Sequence, residues 1–358
     1  MARRLPLSRR QPCRPIQGTR RAGRRKAGDG AEARWPGIII PRMQQLSRRE
    51  FGSALAAAVP LVRSTVLRGA QALVGVSTSS FRDLPRIEGR DNVDDVIRAL
   101  QAVRATHAEL AFSSIEPAPP SVAPAMGGSA AYPRRIVLSP EQVAATNAGA
   151  RTALRDWRIR TAPESLDSVR RKLAAAGMRV HGCSLSYDPS FTDEEIVATF
   201  RQAAALGVGT IASPLTMAMA ERLVPFAERS GVAVAIHNQM EGNAAGEIDA
   251  AHLNRALALS PMLRVKLDVG TLTASNRDAA AELRKYEARV AYVLVKDRLR
   301  NGGASQPFGE GDAPIRAIMN LLEESRPAIP AIVEYDYVGL KSSIHEVTAA
   351  LEYLGAAR

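Results

Sequence analysis

Four polar side chains, His237, Asp268, Lys296 and Glu334, stand at the ends of short apolar runs: VAVAIHNQ (232–239), LRVKLDVGT (263–271), VAYVLVKDR (290–298) and PAIVEYDY (330–337). An imidazole, two carboxylates and an ammonium are the groups that move protons and stabilise developing charge. Two carboxylates that meet in a cleft repel each other unless a cation or a proton lies between them. His237, Asp268 and Glu334 offer one nitrogen and two oxygens to a divalent ion. Water or substrate oxygens would complete such a shell, which suits Mn2+ or Mg2+ better than a closed zinc site. Lys266, two residues before Asp268, offers a rival compensation in which its ammonium takes the place of the ion. Both readings stand at this stage. Lys296 can polarise a carbonyl as a point charge or act as a base, and Glu334 and His237 are the other two catalytic candidates.

The elements that must position these groups follow from the runs themselves. Each is too short and too rich in Val and Ile for a helix, and helix-length segments separate them, so they predict buried parallel strands. Four earlier runs, LVGVSTSSF, HAELAF, MRVHGCSLSY and VGTIASP, raise the count to eight. The expected architecture is α/β, a single (β/α)8 TIM barrel over residues 73–358, in which the last strand closes on the first and leaves no edge. Strand C-terminal tips then converge on one face, and chemistry belongs there.

Strand parity refines the picture. If His237 points inward, so do Ala233, Ala235 and Gln239, while Val232, Val234 and Ile236 face the helices. The same rule groups Lys266 with Asp268, Tyr292 and Leu294 with Lys296, and Glu334 with Asp336. Glu109 and His181, on the second and third strands, join Gln239, Lys266 and Asp336 as candidate substrate contacts. For His181 a buried ring satisfied by one hydrogen bond is an equal reading. The stretch from Ser113 to Arg158, Pro-rich at first and helix-compatible from Pro140, reads as a βα loop over the barrel mouth. Thr192 to Glu195 is a capping box, Gly177 and Gly207 should stop helices, and Asp312 should cap a helix starting near Pro314.

The formal charge of +12 is misleading about the barrel. Residues 1–42 hold a net +10 and residues 43–72 a net +3, so the remaining 286 residues carry −1. No nucleic-acid surface is expected there. Cys13 and Cys183 are the only cysteines, which excludes a disulfide framework. Residues 1–42 are expected to be a disordered basic segment upstream of a true start at Met43. From Met43, Ser47-Arg48-Arg49-Glu50-Phe51 and the apolar run after it resemble a twin-arginine signal, and Ala70-Gln71-Ala72 fits an A-x-A cleavage site. Residues 43–72 are thus expected to direct periplasmic or secreted localisation. The apolar run is too short for a stable membrane span.

The motifs IHNQ, LDVG, VKDR, PFGEGDAPI (307–315) and VEYDY resemble the sugar phosphate isomerase/epimerase family over about residues 74–355. That resemblance implies a xylose-isomerase-like barrel, a small carbohydrate substrate and a divalent metal (Mn2+, Mg2+ or Zn2+). It also implies His237, Asp268 and Glu334 as metal ligands and proton transfer beside a sugar carbonyl. The chain differs from the family pattern at three imidazole positions, which here are Leu294, Thr271 and Gln239. A catalytically degenerate carbohydrate-binding barrel, and a lyase or dehydratase using the same enolate chemistry, are the alternatives. A homo-oligomer is compatible with all of these.

Overall fold

The computed structural model describes residues 72–119, 126–129, 132–135, 140–324 and 329–355. The expectations for residues 1–42, for Arg48 and Arg49 and for cleavage after Ala70-Gln71-Ala72 fall outside that span, apart from Ala72 itself. Eight parallel strands close into a barrel: β1 (Val74–Ser77), β2 (His107–Ala111), β3 (Arg179–Ser184), β4 (Thr210–Ser213), β5 (Ala233–His237), β6 (Leu263–Asp268), β7 (Val290–Val295) and β8 (Ala331–Val333). Closure comes from β8 lying against β1, with Val74 opposite Ala331 and Val76 opposite Val333. The expected (β/α)8 architecture is therefore the observed one.

The helices between strands include α1 (Val93–Ala102), α2 (Pro140–Arg160), α3 (Pro163–Ala175), α4 (Asp193–Ala205), α5 (Met217–Ser230), α6 (Leu253–Leu257), α7 (Val269–Ala274), α8 (Ala279–Tyr286), α9 (Ile315–Glu324) and α10 (Ser343–Tyr353). Among the described residues none is long and apolar enough to cross a membrane. Local sequence sets their ends. Thr192 accepts from the Glu195 amide at the start of α4, as a capping box requires, and Gly177 and Gly207 follow α3 and α4 at positive φ.

Two apolar layers reflect the parity rule. Val232, Val234 and Ile236 pack in the main core between barrel and helices. Ala212, Ala235, Tyr292, Leu294 and Ile332 form a second cluster inside the barrel. Alternation along β5 and β7 thus decides which residues see the lumen.

The part of the βα connection that reads as helix-compatible from Pro140 is a 21-residue helix, α2. Its anchor is charged and buried. Arg158, 5% exposed, donates to Glu116 and Glu195 at 2.7 Å each, and Arg151 reaches Glu195 at 2.6 Å. Glu195 is therefore occupied by arginines rather than turned back on its own helix start. This pairing ties α2 to α4 and to Glu116, beyond β2.

His107 and His181 occupy the N-terminal end of the barrel, away from the strand tips. β3 carries a bulge at His181, since Ala108 pairs with Val180 and Glu109 with Gly182. The extra residue turns His181 onto His107, with Nδ1 of His107 2.7 Å from Nε2 of His181 and the rings stacked. A hydrogen bond between two imidazoles needs at least one of them neutral. Burial, His107 and Arg179 push His181 down from the ordinary value near 6.5 to about 4, and burial and Arg179 also lower His107. A depressed folded-state value contributes stability that is complete above the unfolded value and is lost as pH falls toward the folded one. We predict a flat melting temperature above pH 6.5 and a decline between 6.5 and 4 that His181→Gln diminishes. An unchanged decline in that variant would assign the acid sensitivity elsewhere.

Candidate active site at the strand tips

Asp268 ends β6 and also caps α7, and its two oxygens are fully engaged. Oδ1 accepts from the Thr271 amide at 2.9 Å. Oδ2 accepts from the Thr271 hydroxyl at 2.8 Å, from His237 Nε2 at 3.0 Å and from Lys296 Nζ at 2.9 Å. Thr271, which the sequence marks as a departure from the family pattern, holds this carboxylate from both sides. Burial alone would raise the Asp268 carboxyl, but Lys296, His237 and the Thr271 amide outweigh it and hold the group far below the usual carboxylate range. An ionised Asp268 accepts only, so His237 donates to it from Nε2.

Lys296, the residue after β7, points its ammonium into three carboxylates: Asp268 at 2.9 Å, Asp336 at 3.1 Å and Glu334 at 3.2 Å. Burial works against its charge, and the three carboxylates more than reverse that, so its value is raised. The ammonium stays protonated at neutral pH, which removes the base role and leaves the point charge. Its stem lies against Gly270 of the LDVG motif, where a Cβ would come 2.7 Å from Lys296 Cγ and 3.0 Å from its carbonyl oxygen. Only glycine admits the lysine along this path.

Glu334 follows β8. Its Oε1 accepts from the Ser79 hydroxyl at 2.8 Å and its Oε2 from Lys296 at 3.2 Å. Burial raises its value, yet Lys296, Lys266 and His237 bring it below the ordinary glutamate value. It is ionised and half-enclosed.

The direct partner of Lys266 is Glu109 rather than Asp268 or Glu334, although its charge still lowers the Glu334 value. Its Nζ reaches across the lumen to Glu109, 2.7 Å from Oε1 and 3.0 Å from Oε2. Glu109 also accepts from Tyr292 Oη at 2.5 Å and from Ser77 Oγ at 2.7 Å, and is itself 0% exposed. Tyr292 is seated against Gly182, where a Cβ would lie 2.7 Å from its Cε1. The Ser77 and Ser79 hydroxyls are 2.8 Å apart, so one chain of contacts runs from Glu109 to Glu334.

Above these groups is a cavity of about 460 Å³. His237, Gln239, Lys266 and Glu334 line it, with the Ser79, Ser113, Ser184 and Ser186 segments, Glu116 and the apolar Phe112 and Leu185. The structure thus gathers His237, Gln239, Lys266 and Glu334 at one opening, sets Asp268, Lys296 and Asp336 against them, and buries Glu109 below Lys266. His181 is not brought there. A larger groove, about 890 Å³, runs along the outer wall between α1 and α3 past Asp91, Trp157 and Lys172 and includes none of the strand-tip groups. Ser77, Ser79 and Glu116 are not identifiable from sequence, since a single hydroxyl or carboxylate carries no periodic signal of its own.

Two motif residues act on the loop rather than the cavity. Asp297 accepts from the amides of Gly309 and Gly311 at 2.9 and 3.0 Å and of Ala313 at 3.1 Å, which folds the PFGEGDAPI loop around it. Asp312, expected to cap α9, instead accepts from the Arg300 amide at 2.8 Å.

His237, Asp268 and Glu334 do not fit a divalent ion as they are arranged. Every acceptor of Asp268 already has a donor, and the position among the carboxylates is filled by Lys296 Nζ. Among the described residues no group of three His, Cys, Asp or Glu side chains converges as a metal would require.

No protein-family model matches the sequence, and none of the curated proteins compared with it does. Solved structures do resemble the fold. D-psicose 3-epimerase with D-tagatose from Clostridium cellulolyticum H10 is 9% identical, with a TM-score of 0.53 over 80% of this chain and 99% of that one. A xylose isomerase domain protein from Planctomyces limnophilus is 16% identical, with a TM-score of 0.51 over 81% and 98%. A probable 3-DHS dehydratase involved in petrobactin synthesis from Bacillus anthracis is 11% identical, with a TM-score of 0.52 over 79% and 98%. At these identities the likeness establishes the xylose-isomerase-like barrel and nothing finer.

Proposed function

We propose that the barrel binds a small neutral polyhydroxy carbonyl compound, a free ketose or a close derivative, and moves a proton beside its carbonyl in an isomerase or epimerase reaction. The observation that carries this reading is an ionised Glu334 facing the same cavity as the Lys266 ammonium and His237. Glu334 takes the proton from the carbon next to the carbonyl, and the electrons of that C–H bond pass to the oxygen as an enediolate. Lys266 donates a hydrogen bond to that oxygen. The proton returning to the neighbouring carbon, while that carbon's hydroxyl proton passes to the enediolate oxygen, gives the isomer. A proton delivered to the opposite face of the same carbon, with Glu334 releasing its own to water, gives the epimer. Lys296 acts as a positioning residue that keeps Glu334 ionised and in place.

Charge supports a neutral substrate. Lys266 is the only Lys or Arg that lines the cavity among the described residues, and it is paired with Glu109. Asp268, Glu334 and Asp336 share the single charge of Lys296, so a phosphate or carboxylate group would meet net negative charge. The resemblance of the solved epimerases is to the fold and is consistent with this class. The export expected from residues 43–72 also favours a free sugar over a phosphorylated one.

Incubation of the protein with free ketopentoses and ketohexoses in D2O tests the proposal. Proton NMR should show loss of the signal beside the carbonyl and growth of an epimer or aldose. Formation of an unsaturated product would point to the dehydratase alternative. Saturable binding by calorimetry with no exchange in any sugar would replace the reading with the carbohydrate-binding barrel, which the fully engaged Asp268 and Lys296 favour.

A further inference from the structure

We propose that Lys296 is a built-in replacement for a divalent ion: its ammonium fills the position at which Asp268, Glu334 and Asp336 could share a cation, and shortening it turns the mouth into a metal site. The proposal concerns binding and does not depend on the proton-transfer reading.

The geometry is that of an ammonium in a cation position. The ammonium forms ion pairs with Asp268, Asp336 and Glu334 at 2.9, 3.1 and 3.2 Å, and donates a hydrogen bond to Glu334. Those separations are ordinary for N–H to carboxylate contacts and too long for metal coordination, which needs about 2.0–2.2 Å for small divalent ions. The lysine is 7% exposed, and its stem follows a route that only Gly270 leaves open. Strand tip and motif glycine together deliver the charge to one point.

Removal of that charge would leave three carboxylates close together with no cation among them. Asp268 Oδ2, Glu334 Oε2 and Asp336 Oδ2 would each lose their shared donor, and Asp336 Oδ1 already lacks any partner while buried. Uncompensated buried charge of this kind is strongly destabilising. An oxygen-rich set with an imidazole beside it, His237 being 3.0 Å from Asp268, suits Mn2+ or Mg2+. Alanine at 296 would leave room for the ion and its waters, whereas arginine would keep the positive charge.

The test is a titration of MnCl2 into the full chain, followed by calorimetry, by the spin-resonance signal of free Mn2+ and by melting temperature. The wild type should take up no Mn2+ below about 1 mM and should melt unchanged with or without EDTA. Lys296→Ala should bind one equivalent at least about 100-fold more tightly than the wild type, with a melting temperature that rises with Mn2+ concentration. Lys296→Arg should gain nothing. If Lys296→Ala does not fold alone, refolding with Mn2+ or with ethylammonium, which returns the missing charge, should recover it. Stoichiometric Mn2+ on the wild type would overturn the proposal. So would a Lys296→Ala protein that neither gains affinity nor is recovered by either cation.

Discussion

Lys266→Met is expected to destabilise the barrel by about 3–5 kcal/mol, the cost of leaving one member of a buried ion pair without its partner. The stranded group is Glu109, 0% exposed and bonded to Lys266 through both oxygens. Tyr292 and Ser77 would still donate to it, which places the effect toward the lower end of that range. The same argument predicts a rescue. In Lys266→Met/Glu109→Leu neither charge remains, and most of the loss should be recovered, because replacing both members of a buried pair by apolar groups is often neutral. Urea midpoints of wild type, both single variants and the double variant complete the cycle. A single-variant cost under about 1 kcal/mol, or a double variant no better than the worse single, would show that the pair does not hold the lumen together.

That pairing shows where sequence reasoning stops. Parity along one strand is local: the inward set of His237 with Ala235, and of Tyr292 and Leu294 with Lys296, follows from alternation alone and is observed. Which inward groups meet is not local. Lys266 on β6 and Glu109 on β2 are 157 residues apart and face each other only because the barrel closes. Lys266 is two residues below the tip of its strand, so it reaches across the middle of the lumen, while Lys296, past the end of β7, meets the tip carboxylates. The ammonium expected among those carboxylates is there, but it belongs to a different lysine. Of the two readings of His181, the ring satisfied by one hydrogen bond is the observed one, since a one-residue bulge resets parity and nothing in MRVHGCSLSY announces it. Thr271 illustrates the converse. The family pattern has an imidazole at this position, yet here the Thr271 hydroxyl gives Asp268 a second contact beside the backbone amide, and the amide helps hold that carboxylate ionised.

Glu334→Gln is expected to lower the rate of deuterium exchange into an exchanging ketose by about 10²–10⁴-fold, the range in which a positioned acid or base contributes. The amide is nearly the same size and Lys296 keeps Asp268 and Asp336 as partners, so the fold and the substrate KM should change little. A loss confined to kcat is the mark of an interaction made only in the transition state. Ser79→Ala provides the graded comparison. It removes the 2.8 Å hydrogen bond to Glu334 Oε1 but leaves the carboxylate and Lys296, so the loss should be smaller, and Ser79→Thr, which keeps the hydroxyl, should restore most of it. His237 is the competing base, with its Nδ1 turned away from the contact to Asp268 through Nε2 and its side chain 19% exposed at the cavity. If Glu334→Gln keeps exchange within about threefold of wild type while His237→Gln loses it, the base is the imidazole. Asp268 would then be the partner that fixes its tautomer, and Glu334 would be left to hold a substrate hydroxyl beside Lys296.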